Sequence, residues 1–168
     1  MPAVVILGFF AALWWFGGVH FAHGSIGLAL VGPVISALVI AVASTRLKGG
    51  PVLSPADKKR IRLVVALAST AEGVAMGVAG NVLLNLHALE YLFPVMAVIV
   101  GLHFLPLAKW IPAPIYYVAG PLLVLIGVAG LTVHGDHRPL AIGLMSAVVL
   151  WGTCLAVLAK PTTRAVAA

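Results

Sequence analysis

The chain has 168 residues, 62% of them hydrophobic and only 8% charged, with a mean hydropathy of +1.17. A soluble domain carries roughly a quarter charged residues to solvate its surface, so a water-soluble globule is excluded and lipid must solvate most of this chain. The formal net charge of +6 does not point to nucleic acid, because the basic residues fall in the connections between apolar runs.

In a bilayer core the backbone must be satisfied within the spanning element, which leaves helices or a closed barrel. Barrel strands alternate in polarity over roughly ten residues, whereas the apolar runs here are continuous. The prediction is an all-α membrane protein forming one domain over 1–168. A helix needs roughly 20 apolar residues to cross the hydrocarbon core. Six runs qualify: 3–20, 24–44, 62–84, 90–108, 113–133 and 139–159.

The first run, MPAVVILGFFAALWWFGG, lacks a basic leader and a small-residue cleavage site, so it reads as a retained span. Trp14 and Trp15 suit either a membrane interface or the interior of a bundle. The span ends in Gly18-Val19-His20-Phe21, and His23 follows. The second span contains Val31-Gly32-Pro33-Val34. Proline removes one helix hydrogen bond and clashes with the preceding turn, so Gly32-Pro33 predicts a kink or an interruption. The one sizeable connection, 45–61, reads TRLKGGPVLSPADKKRI. Its glycines and prolines break helix, and Ser54-Pro55 is a candidate cap for the third span.

Glu72 is the most informative residue of the third span. It lies ten residues beyond Arg62, about 15 Å along a helix axis. A carboxylate at that depth is costly, so it must face the interior, be protonated or have a partner. A 100° wheel puts Ser69, Met76 and Ala79 on its face. The opposite face carries Thr70, Gly77, Asn81 and Asn85, with Gly73 close by. Gly73 and Gly77 form a small-xxx-small step that lets another helix approach. Asn81 and Asn85 suit interhelical hydrogen bonds or the wall of a pathway. With polar or small groups on both faces, this span is expected at the centre of the bundle.

In the fourth span His103 lies six residues before Lys109, about 9 Å from the boundary. It is within plausible side-chain reach of Glu72, and His–carboxylate pairs serve as proton relays in transporters. Tyr116 and Tyr117, opening the fifth span, are alternative partners for His103. That span repeats the glycine–proline step as Ala119-Gly120-Pro121-Leu122. The sixth span holds Cys154, the one cysteine of the chain, so no internal disulfide is available.

Arg46, Lys48, Lys58, Lys59, Arg60, Arg62, Lys109, Lys160 and Arg164 share one side of a six-span topology, and Arg138 alone falls on the other. Short loops rich in Lys and Arg stay cytoplasmic, which predicts cytoplasmic termini and an inner (plasma) membrane location. The Gly-x-His-Phe sequences at 18–21 and 101–104 and the two Gly-Pro steps suggest halves 1–84 and 85–168. Three spans per half would make an inverted repeat, and paired helix interruptions in such repeats point to a binding site near the midplane.

His20, His23, His134 and His137 lie on the outer side of this topology, with Glu90 and Asp136 close by. Imidazole and carboxylate suit zinc, copper or iron, so these four are candidate ligands of a metal or haem, although no metal-site motif is present. The leading reading is a small multi-pass transporter or channel-like protein, proton-coupled through Glu72. His103, Asn81, Asn85, Gly32, Pro33, Gly120 and Pro121 would line its pathway. The alternatives are a metal- or haem-binding membrane protein and an accessory subunit of a larger complex. A single bundle of this size leaves little room for a cavity, so a homo-oligomer or a larger membrane complex is expected.

Overall fold

A computed structural model describes residues 2–46, 54–111 and 114–159. Within them the chain is all helical, with no strand. The helices are α1 (Pro2–Phe21), α2 (Ile26–Arg46), α3 (Pro55–Asn85), α4 (Leu92–Trp110), α5 (Tyr116–Thr132) and α6 (Arg138–Ala159), with a 3₁₀ turn at Leu89–Tyr91 before α4. Five of the six are long and apolar enough to cross a membrane. α5 has 17 residues, which extends about 26 Å against a hydrocarbon core of about 30 Å. Lys48, Lys160 and Arg164, and the stretch 47–53 of the long connection, lie outside the described residues.

The predicted spans and the helices coincide to within a few residues, except at the start of the third. There the helix begins seven residues earlier than the apolar run, because a polar first turn is capped. The Ser54 hydroxyl accepts from the Asp57 amide at 3.1 Å and donates to the Asp57 carboxylate at 2.6 Å, and Pro55 occupies the first helical turn. Such a cap satisfies amide groups that a helix start leaves unpaired.

Apolar burial gives helices little reason to associate in lipid, so close approach at small residues decides the packing. α1 lies against α6, where a Cβ on Gly143 would sit 2.6 Å from the Trp14 carbonyl oxygen and 2.7 Å from the Cα of Gly18. α4 lies against α5 by the same device. A Cβ on Gly101 would meet the Gly120 carbonyl at 2.7 Å, and one on Gly127 would meet the Pro94 carbonyl at 2.6 Å. Position 101 thus meets 120 while 94 meets 127, so α5 runs back antiparallel along α4. Gly32 of α2 seats Trp15 of α1, whose indole donates to the Leu28 carbonyl at 2.8 Å. Trp151 of α6 donates to the Ser36 hydroxyl of α2 at 2.9 Å. Trp14 is buried and Trp15 packs against the same core, so this pair serves the interior rather than an interface.

α3 departs from expectation. It packs on α4, yet none of its residues is buried, so it lies at the edge of the bundle and not at its centre. Gly73 and Gly77 have nothing within 4 Å of where a Cβ would be; no helix of this chain uses that step. Two cation–π contacts close the ends of the bundle. Arg60, at the start of α3, stacks on Trp110, at the end of α4, at 4.7 Å. At the opposite end the buried Arg138 covers the ring of Tyr91 at 4.8 Å and donates to the Glu90 carbonyl at 3.0 Å.

Candidate functional site

Glu72 on α3 and His103 on α4 meet across the main interface that α3 makes. His103 Nδ1 lies 3.3 Å from Glu72 Oε2, with only 11% of the histidine side chain and 14% of the glutamate side chain exposed. The approach is off the line of a hydrogen bond, and Nδ1 has no other partner. We therefore treat the contact as electrostatic, at full strength only when the imidazole is protonated. Among the described residues it is the one ion pair.

The pair lines a cavity of about 290 Å³ in the gap between α1 and α3. α4 contributes Val100, His103 and Phe104, and α6 contributes Leu150. Ile6 and Phe10 come from α1, while Ser69, Glu72, Gly73 and Met76 come from α3. Ser69 and Met76 are where the helical wheel put them, on the face of Glu72. Ile6, Phe10, Val100 and Leu150 carried no signal, because apolar residues in apolar helices look alike.

The other predicted pathway residues lie elsewhere. Asn85 donates to both the backbone and the side-chain oxygen of Asn81, each at 2.9 Å. The two amides thus satisfy each other within α3, exposed, rather than bridging helices or lining the cavity. α2 and α5 continue unbroken through Pro33 and Pro121. Gly32 and Gly120 are packing points, and Pro121 borders a separate apolar groove with Leu102 and Leu105. None of the four touches the Glu72 cavity. Tyr116 is buried edge-to-face against Phe104 at 5.3 Å, and Tyr117 is exposed, so neither partners His103.

At the Arg138 end, a second pocket of about 360 Å³ gathers His23, His134, Glu90, Asp136, Tyr91 and Arg138. His20 stacks on Phe16 instead, and His137 is absent from the lining. No three His, Cys, Asp or Glu side chains among the described residues come together as a metal site. Arg138 is the residue here that the sequence does not single out: its position marks it as a connection charge, yet it is 5% exposed with its Nε unpartnered.

Residues 67–160 match a family of unknown function, DUF7010, over more than half of the chain. The chain belongs to this family. The matched span holds both Glu72 and His103 and leaves out α1 and α2. Comparison with curated proteins and with solved structures finds no match.

Proposed function

We propose that this protein is a small multi-pass membrane transporter, coupled to protons through Glu72. The observation that carries the reading is the Glu72–His103 contact at 3.3 Å, mid-helix on two helices and on the wall of a cavity. Ionisable side chains within membrane helices are expensive and mark ion and proton pathways. A carboxylate and an imidazole in contact offer a proton two adjacent resting places. α3, the helix that carries the acid, is held by one main neighbour, so it is the element freest to shift against the rest.

Six crossings with cytoplasmic termini, in an inner membrane, form part of the proposal. The antiparallel run of α5 along α4 and the matched end contacts of Arg60 and Arg138 support the sixth crossing. The inverted repeat has one supporting detail. The glycine of each Gly-Pro step, Gly32 and Gly120, packs against the first helix of its own half. A homo-oligomer formed through the open Gly77 side of α3, away from the cavity mouth at Gly73, would satisfy packing that this chain alone leaves unused.

The test places the full chain in liposomes containing a pH-sensitive dye and presents a panel of amines, carboxylates, amino acids and metal cations. At least one solute should move protons with the wild-type protein, and Glu72→Gln should reduce that flux to the rate of empty liposomes while the protein stays folded. Substrate-linked proton movement that survives Glu72→Gln at every pH overturns the reading.

A further inference from the structure

We infer that the substrate of this site is an amphiphilic organic cation that enters from the bilayer; the inference rests on the coupling role proposed for Glu72 and deepens it. The position of the cavity mouth is the first argument. Ile6 and Phe10 on its rim are 51% and 40% exposed, and Ser69 and Gly73 across the gap are exposed too. Phe10 and Gly73 sit more than two turns from either end of their helices. The opening therefore lies on the flank of the bundle, at the depth of lipid rather than of water. A molecule reaching it sideways must first partition into hydrocarbon, which selects for apolar surface.

The wall supplies the second argument. Apart from Ser69, the surface around Glu72 and His103 is aliphatic or aromatic, with Phe10 and Phe104 on opposing helices. Glu72 and His103 are the two lining groups able to carry charge; α1 and α6 bring none. One carboxylate in an apolar chamber attracts a cation and repels an anion, and a neutral hydrocarbon gains nothing from it. Aromatic faces add attraction for a cation whose charge is spread and weakly hydrated.

Charge balance gives the coupling. A proton held on the Glu72–His103 pair and an organic cation compete for the same carboxylate. One cation binds as one proton leaves, and the charge of the site is unchanged. Gly73 sets the size limit. Nothing lies within 4 Å of where its Cβ would project, so a larger side chain there narrows the mouth without disturbing the fold.

The probe is tetraphenylphosphonium, titrated calorimetrically into the detergent-purified full chain in weakly buffered solution with a pH indicator. Saturable binding with release of one proton is expected. Glu72→Gln should weaken it roughly tenfold to a hundredfold, as expected for losing one charge-assisted contact. Glu72→Asp should retain part of it, which separates loss of charge from loss of fold. Gly73→Leu should weaken tetraphenylphosphonium more than tetramethylammonium. Tetraphenylborate, with the same four aryl groups and the opposite charge, should not compete. Equal binding of tetraphenylborate, or phosphonium binding indifferent to Glu72→Gln, overturns the inference. If another solute moves protons through Glu72 while no organic cation binds, the substrate class is wrong and the coupling role stands.

Discussion

α3 and α6 are the third and the last helices, equivalents if the chain is a repeat, and their fates differ. α6 buries nine of its residues, among them Gly143, Ser146, Leu150, Trp151 and Cys154. α3 is longer, at 31 residues, and buries none. Both are apolar enough to span a membrane and both carry small residues. The difference lies in what the small residues meet. Gly143 abuts the backbone of α1, whereas Gly73, Gly77 and Gly80 meet nothing. Polar groups follow the same division. Trp151 and Thr153 on α6 make hydrogen bonds to Ser36 and to the Val149 carbonyl. On α3 the polar group that faces the protein, Glu72, is held only by an off-axis contact. The lesson is that close backbone approach makes a helix part of the scaffold. A helix without it is held by fewer contacts, and here that helix carries Glu72.

Three experiments test that contrast, in falling order of effect. Gly143→Leu should be the most damaging, because its Cβ meets backbone atoms that cannot turn aside. Overpacking costs about 1–3 kcal/mol and occasionally more, and with backbone as the obstacle the cost should reach the upper end. Thermal denaturation in detergent should therefore show a large loss of stability or no folded protein. A tolerated Gly143→Leu would mean that α1 and α6 are not locked together. Trp151→Phe removes the bond to Ser36 but keeps most of the ring, and should cost about 1 kcal/mol, the scale of hydrogen bonds between membrane helices. Combining it with Ser36→Ala should add little further loss, and a clearly additive loss would show that the two side chains act separately. Gly77→Leu should change stability by no more than about 0.5 kcal/mol, as for an open surface position. A change in assembly size by light scattering at unchanged stability would identify that face of α3 as the contact between copies. A large loss of stability would instead place α3 inside the bundle.

Much of the helical layout was legible without a structure. Long continuous apolar runs admit one backbone solution in lipid, and Ser54-Pro55 marks its own cap by local chemistry. The meeting of Glu72 and His103 was within reach of depth arithmetic, because a helix rises by a constant step and both residues count from nearby basic boundaries. Which face of a helix looks inward was not legible. Polar and small residues on both sides of α3 suggested a central helix, and the helix is peripheral. The Gly-Pro steps suggested interruptions beside a site, and they are packing points away from it. Tyr116 looked like a partner for His103 and instead packs on Phe104.

These failures share one cause. In water, burial sorts side chains by polarity and leaves a periodic signature in the sequence. In lipid the surroundings are as apolar as the core, so that sorting is weak and the inward face is chosen by shape. Composition and run length by themselves determined that this protein is a set of membrane-compatible helices, since hydrocarbon leaves the backbone helix or closed barrel and continuous apolar runs exclude the barrel. Only the tertiary structure decided which glycines are filled by a neighbouring backbone and which stay empty. Those contacts lock α1 to α6 and α4 to α5, and they leave α3 at the edge with its carboxylate turned toward His103.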